Sequence, residues 1–250
     1  MNRYYKLLPL AIILLASACQ KTEILEENKV EVDLYSKSDS VSFYVNGKHY
    51  TTEVDSDIEK YGYRNGGANL RLSDTKGKWT YGSAGKDLYW VGAPDSIQYS
   101  TSYTNYFPGG SIEFNYVKNY KEIELVEDSN TLVPRKDKIF YKVGKYDYAV
   151  DFKRRNWDEG VAIELSLKDI GGLTSFSTLA NRFETQLNTI SQNDSKFEIL
   201  KVEEIKGTKL VMIEGKFEVN LFDDQEQKLV RVTDGYFRSK VYKSGNRSTY

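Results

Sequence analysis

The chain has very little of the residues that build most metal and redox sites. Cys19 is its only cysteine and His49 is its only histidine among 250 residues. A single cysteine cannot form an internal disulfide, so a folded domain must be stabilised by its hydrophobic core. A zinc site would have to draw nearly all of its ligands from carboxylates, which zinc sites in proteins seldom do. We therefore expect no cofactor and no zinc site.

The usual signatures of enzymes are missing as well. A Ser-His-Asp triad would have to use His49, which stands in a strand-like segment next to a predicted turn. The segment Gly82-Ser83-Ala84-Gly85 departs from the Gly-x-Ser-x-Gly pattern, because its serine directly follows the first glycine. The sequence has neither a phosphate-binding glycine loop nor a dinucleotide-binding fingerprint. These absences predict a protein that is not an enzyme.

Carboxylates are abundant, and two arrangements of them leave chemistry open. Paired carboxylates can hydrolyse glycosidic bonds, and Asp147 with Asp151 or Asp158 with Glu159 are candidate pairs. Such pairs are inevitable among 36 acidic residues, so a hydrolase is only the third hypothesis for function.

The second arrangement is a short acidic segment in which Asp55, Asp57 and Glu59 alternate with other residues. An EF-hand beginning at Asp55 would need glycine at position 60 and glutamate at 66, where the chain has Lys60 and Gly66. An irregular calcium loop and a solvated acidic turn are the two alternatives for this segment.

Positive charge is not in excess. The chain has 35 lysines and arginines against 36 aspartates and glutamates. Removal of residues 1–18, which include Arg3 and Lys6, would leave 33 against 36 and a net charge of −3. A domain that binds nucleic acid generally needs a basic face, so we expect no nucleic-acid partner.

The longest apolar run is too short to cross a membrane. It extends from Leu7 to Ala18, whereas a spanning helix needs about 20 apolar residues. Arg3 and Lys6 precede it and Ala16-Ser17-Ala18-Cys19 ends it, which is the order of a signal peptide. An ordinary signal peptide with a chance cysteine and a buried core helix are the alternatives.

The end of this run resembles a bacterial lipobox, although the usual leucine three places before the cysteine is replaced by Ala16. The resemblance implies cleavage after residue 18 and lipid on Cys19, which would anchor the chain stably. Residues 19–40 are then a lipidated tether, in which the alternating Val30, Val32 and Leu34 are alternatively an edge strand. We expect a protein of the cell envelope, held by lipid to the outer membrane.

The rest of the chain, residues 41–245, predicts one domain of mainly β structure. Asn46-Gly47 between two strand-like runs is typical of a hairpin turn, and Val161–Leu167 alternates as a half-buried strand does. One amphipathic helix is predicted near 174–191, with Phe176 and Ile190 among its apolar positions. Many short strands with turn residues between them favour an antiparallel β-sandwich or an open barrel.

Three short motifs resemble a family of small exported lipoproteins of Gram-negative bacteria, whose function is unknown. They are Phe43–Lys48, Glu214–Phe217 and Val232–Phe237, and they accompany the lipobox. The resemblance implies a β-sandwich-like fold and an envelope location, and it carries no activity. In the two Gly-x-Phe motifs we expect Phe217 and Phe237 to fill the core, while each glycine permits a bulge or a close approach of strands.

Aromatic residues are the feature that most exceeds the average composition, with 20 tyrosines against 11 phenylalanines. The segment Tyr99–Gly110 ends in Pro-Gly-Gly and looks like a loop tip. We expect Tyr103, Tyr106 and Phe107 to be exposed contact residues for a protein or glycan partner. The alternative is ordinary packing of these rings in a sheet. The leading hypothesis is a non-catalytic binding or structural role in the envelope, and the alternative is a surface glycan-binding accessory lipoprotein.

Overall fold

A computed structural model describes residues 37–54, 68–73, 90–128, 131–135, 140–178 and 187–243. The predicted signal peptide, Cys19, the tether as far as residue 36 and the acidic segment around Asp55, Asp57 and Glu59 lie outside the described residues. The predictions made for them stay predictions.

The described residues form fourteen strands and two short 3₁₀ helices. The strands are β1 (Asp39–Val45), β2 (Lys48–Val54), β3 (Ala68–Ser73), β4 (Trp90–Val91), β5 (Ser96–Phe107), β6 (Gly110–Lys121), β7 (Leu125–Asp128), β8 (Thr131–Pro134), β9 (Gly144–Tyr146), β10 (Gly160–Leu167), β11 (Gly171–Thr174), β12 (Lys196–Glu204), β13 (Leu210–Phe222) and β14 (Leu229–Tyr242). The 3₁₀ helices are Glu122–Glu124 and Thr189–Gln192. No helix in this part of the chain is long and apolar enough to span a membrane.

Twelve of the strands belong to one sheet, and β7 and β8 form a separate hairpin. Along the main path the order is β2-β1-β14-β13-β11-β10-β6-β5-β3-β4, and β12 and β9 branch from β13. All pairs are antiparallel except β3 with β4. The sheet is open: among the described strands, β2 and β4 end the main path and β9 ends the branch. The prediction of a mainly antiparallel β fold, sandwich or open barrel, is confirmed.

The two Gly-x-Phe motifs pair with each other in the middle of this sheet. Gly215 in β13 lies opposite Phe237 in β14, and Phe217 lies opposite Gly235. A Cβ added to Gly215 would lie 2.4 Å from the Phe237 ring, and one added to Gly235 would lie 2.6 Å from the Phe217 ring. Each ring therefore covers the glycine across from it, and both rings are buried. The predicted core role of these phenylalanines is confirmed, together with a register shift just after Phe217.

The predicted hairpin at Asn46-Gly47 is also confirmed. It joins β1 to β2, and both turn residues have positive φ, 50° and 76°, as a type I′ turn requires. The strand before it begins at Asp39, two residues earlier than the expected domain start, and the Asp39 side chain is buried.

The amphipathic helix does not begin where it was predicted. Thr174 ends strand β11. Ser175 continues the pairing, because its Oγ accepts a hydrogen bond from the Ile163 N–H at 2.8 Å. At the other end, Thr189–Gln192 is a single 3₁₀ turn, and Ile190 is exposed instead of facing the core. Residues 179–186 lie outside the described part of the chain.

Candidate functional site

The three aromatic residues predicted to be exposed contacts have different environments. Only Tyr106 is exposed, with 49% of its surface accessible, while Tyr103 and Phe107 are buried at 4% and 7%. The expectation of exposure is therefore wrong for two of the three. A contact role for Tyr106 stays a prediction.

The reason is that the strand continues farther than the Pro-Gly-Gly signal indicated. β5 extends to Phe107, and only Pro108-Gly109 forms the turn to β6. Alternate residues of a strand face one side, so Tyr103 and Phe107 point inwards and Tyr106 points out. The Tyr103 hydroxyl donates a hydrogen bond to the buried Asp39 carboxylate, and the Phe107 ring packs edge-on against Phe43 at 5.4 Å.

His49, the only histidine, forms no catalytic triad with residues that the structure describes. Its Nε2 lies 2.8 Å from the Ser42 Oγ, and its ring stacks on Tyr44 with centroids 4.6 Å apart. No carboxylate of the described residues hydrogen-bonds to it, and the pair lies on the exposed surface of the β1–β2 hairpin. The prediction that His49 is a strand residue is confirmed. In the described ranges, no three or more His, Cys, Asp or Glu side chains are grouped to hold a metal ion.

A candidate site is a polar cavity of about 480 Å³, which we call the Trp157 cleft. Three segments enclose it, around Tyr146, Trp157 and Gln192. Its lining residues are Tyr146, Asp147, Tyr148, Trp157, Asp158, Glu159, Thr189, Gln192, Asn193 and Ser195. Trp157 is 49% exposed, so part of its ring is accessible at the cleft.

The loop that presents Trp157 is built around Asp151. The Asp151 carboxylate accepts hydrogen bonds from the backbone N–H groups of Trp157 and Asp158, at 2.8 and 3.1 Å. Its own carbonyl accepts from the Arg154 N–H at 2.8 Å. Asp151 therefore acts on the cleft through the backbone, as a positioning residue, and its carboxylate is not one of the lining groups.

Gly160 allows the two acidic lining segments to meet. The Asp147 carbonyl accepts a hydrogen bond from the Val161 N–H at 2.9 Å, next to this glycine. A Cβ on Gly160 would lie 2.0 Å from that carbonyl oxygen, and its φ is +126°. Only glycine fits both the contact and the conformation. The close approach brings Asp147 and Glu159 to the same cavity.

The opposite wall of the cleft is held by a network of amides. Gln192 is 7% exposed, and its Nε2 donates to the Asn220 carbonyl at 2.8 Å, while its Oε1 accepts from the Asn220 N–H at 3.1 Å. Arg231 then joins this network to Glu218 with a 2.8 Å ion pair. Because these groups are mutually satisfied, the 3₁₀ turn is a fixed wall of the cleft.

The described lining of the cleft carries net negative charge. Asp147, Asp158 and Glu159 line it, and no lysine or arginine among the described residues does. Burial, followed by repulsion from Asp151 and Asp147, raises the pKa of Asp158 to about 6. Burial also raises the pKa of Asp151. Asp158 thus titrates close to neutral pH at the edge of the cavity.

Sequence reasoning identified the carboxylates of this site and missed its other members. Of the two candidate pairs, Asp158 and Glu159 both line the cleft, whereas Asp147 does so without Asp151. Trp157, Gln192 and Asn193 were not predicted. A tryptophan in the polar segment Asn156–Gly160, which lacks strand alternation, was the available signal.

Comparisons with known proteins add no relative to this description. No protein-family model, curated protein or solved structure matches the chain. The resemblance to exported lipoproteins is therefore still a prediction, carried by the lipobox and the short strand motifs.

Proposed function

We propose that this protein is a lipid-anchored component of the cell envelope whose β domain binds a glycan at the Trp157 cleft without altering it. The observation that supports this most is the half-exposed Trp157 ring at the rim of a polar cavity of about 480 Å³. Sugar rings have one apolar C–H face, which packs on the electron-rich face of an indole. The sugar hydroxyls then need donors and acceptors around that platform.

The groups around Trp157 meet this need. Asp147 and Glu159 supply exposed acceptors, and Asn193 supplies both a donor and an acceptor. The walls of the cleft are fixed by the Asp151 and Gln192 hydrogen bonds. A preformed surface of this kind limits the ordering cost of binding.

The anchoring half of the proposal rests on the sequence of residues 1–19. Lipid on Cys19 would place the glycan-binding domain at the outer membrane, after a tether of about twenty residues. Growth with labelled palmitate should label the wild-type chain and leave Cys19→Ser unlabelled in the soluble fraction. A wild-type chain that takes up no label would contradict the anchor and leave the binding proposal intact.

The binding half is tested by affinity electrophoresis in gels that contain soluble polysaccharides: a β-glucan, a mannan, a galactan and hyaluronan. We expect one of these glycans to retard the wild-type protein. Trp157→Ala should weaken that retardation by about tenfold or more, as truncation of a central aromatic contact does, and Trp157→Phe should retain part of it.

Tyr106→Ala tests the competing prediction that Tyr106 is the contact residue, and it is matched because Tyr106 is exposed to the same 49%. This variant separates binding at the cleft from binding at the β5–β6 hairpin. It should be retarded like the wild-type protein. If Tyr106→Ala loses retardation while Trp157→Ala keeps it, the glycan binds at the β5–β6 hairpin and the cleft proposal is wrong. Absence of retardation by every glycan would also count against it.

A glycoside hydrolase is the second candidate, and the raised pKa of Asp158 favours it. A carboxyl that titrates near pH 6 can act as a general acid, and Asp147 and Glu159 line the same cleft as candidate second carboxyl groups. Incubation with fluorescently labelled oligosaccharides separates the two functions. Binding alone returns the label at its original length. Shortened products that disappear with Asp158→Asn would establish the hydrolase.

A further inference from the structure

A second cavity adjoins the Trp157 cleft, and its lining has a different charge. It has a volume of about 350 Å³ and shares three lining residues with the cleft: Tyr146, Asp147 and Glu159. The two cavities therefore lie next to each other on either side of these residues, and we call the pair the groove. The rest of the second lining is Tyr116, Val117, Lys118, Phe140, Lys142, Val143, Gly144, Lys145 and Gly160.

The lysines are what distinguishes this end. Lys142 and Lys145 are exposed, and neither forms an ion pair with any residue that the structure describes. Tyr146 holds the loop that carries both lysines. Its hydroxyl accepts a hydrogen bond from the Lys142 N–H at 2.7 Å and donates one to the Lys142 carbonyl at 3.0 Å. The two ammonium groups thus extend from a fixed backbone.

The centre of the groove is fixed as well. Glu159 accepts a hydrogen bond from the Asn119 N–H at 3.0 Å, which attaches its carboxylate to strand β6. The lysine end is also lined by the buried Phe140 and Tyr116 and by the exposed Val143. Its lining therefore combines aromatic rings with cations, whereas the Trp157 end combines a half-exposed indole with carboxylates.

We propose that the groove binds an acidic oligosaccharide in one direction, with an uncharged sugar on Trp157 and an anionic sugar beside Lys142 and Lys145. This inference rests on the proposed function. The direction follows from net charge. The Trp157 end is lined by Asp147, Asp158 and Glu159 without a described lysine or arginine, whereas Lys118, Lys142 and Lys145 outnumber Asp147 and Glu159 at the other end, so a sugar carboxylate or sulfate is favoured there. A ligand that reaches both cavities has at least two sugar units.

Equilibrium titration of the full chain with two probes tests the proposal. One is the hyaluronan hexasaccharide, in which acidic and uncharged sugars alternate, and the other is its carboxyl-reduced form. Wild-type protein should bind the acidic form about tenfold more tightly at low salt, and the preference should shrink as salt screens exposed charges. Lys142→Ala with Lys145→Ala should abolish the preference and leave affinity for the reduced form unchanged.

The control is Lys168→Ala with Lys228→Ala, two exposed lysines that line neither cavity. This variant should keep the preference of the wild-type protein. Equal affinity of wild-type protein for both probes, or an unchanged preference in the Lys142/Lys145 variant, would overturn the inference while leaving glycan binding at Trp157 in place. Loss of affinity for both probes in Trp157→Ala supports the proposed function separately. Binding of neither probe to wild-type protein would overturn the inference.

Discussion

Two turns of this molecule carry aromatic residues, and they use them in different ways. The β5–β6 hairpin buries Tyr103 and Phe107 and exposes Tyr106, because its residues alternate along a paired strand up to the turn. The loop from Asp151 to Glu159 has no strand partner. Its conformation comes from the Asp151 carboxylate, and it presents Trp157 beside a cavity.

The comparison separates two causes of aromatic exposure. An exposed ring on a strand is one of the alternate side chains that point outwards, and its neighbours are other side chains on that face of the sheet. The exposed Trp157 ring lies on a loop held by side-chain hydrogen bonds and lines a cavity together with two other segments. A high density of tyrosines in a segment therefore indicates a binding surface less strongly than one large exposed ring on a fixed loop, such as Trp157.

The largest expected effect concerns the rings that alternation places in the core. Phe217→Ala should lower the free energy of unfolding by about 3–5 kcal/mol, because the ring fills the core and covers Gly235. Denaturant titration measures the change. A variant as stable as the wild-type protein would mean that these rings do not hold the sheet.

The next effect concerns the loop region. Gly160→Ala should cost about 3 kcal/mol, since its Cβ would meet the Asp147 carbonyl and its φ is unfavourable for alanine. Gly171→Ala is the matched control, with a φ of +98° and open space around it, and should cost only about 1 kcal/mol. Equal costs in denaturant titration would show that the close approach to Asp147 is not tight.

The third effect is a pH dependence of the unfolding free energy that comes from Asp39, the buried partner of the Tyr103 hydroxyl. Burial raises the pKa of Asp39 from 3.8 to about 6, against the lowering effects of Tyr103, Lys240 and Arg238. The protonated form is thus favoured by folding. Its stabilisation is complete below about pH 4 and is lost as the pH rises through 6, on the order of 3 kcal/mol in total.

Asp39→Asn should therefore show a flatter dependence of unfolding free energy on pH between 4 and 7 than the wild-type protein. Asp151 and Asp158 also have raised pKa values, and they contribute to the pH dependence of stability with the same sign in the wild-type protein and in the Asp39→Asn variant. The difference between the two curves isolates Asp39. Parallel curves would contradict the assignment of this carboxyl as a buried, titrating group.

The smallest expected effect concerns the half-exposed rings of the two turns. Tyr106→Ala and Trp157→Ala should each change the unfolding free energy by no more than about 0.5 kcal/mol, because both rings are half exposed. Thermal unfolding measures this. A large loss for Trp157→Ala would mean that the ring supports the loop instead of serving a ligand.

The sequence correctly predicted the elements that depend on a short local motif or on a periodic pattern of apolar residues. Asn46-Gly47 specified its hairpin, alternation specified Val161–Leu167, and the Gly-x-Phe motifs specified the core. It did not predict what depends on distant partners. Phe176 and Ile190 have helical spacing, yet Ser175 pairs with Ile163 across the sheet. Trp157 and Gln192 are far apart in the chain and meet only because β10 and β13 bring their loops together.

The role of Trp157 as the platform of a glycan site can be tested with the indole N–H signals in nuclear magnetic resonance spectra of ¹⁵N-labelled protein. The chain has three tryptophans, Trp79, Trp90 and Trp157, and the signal absent from Trp157→Phe identifies the third. During titration with a glycan that retards the wild-type protein, the Trp157 signal should shift progressively and saturate. Saturable binding of that glycan with an unmoved Trp157 signal would contradict the account.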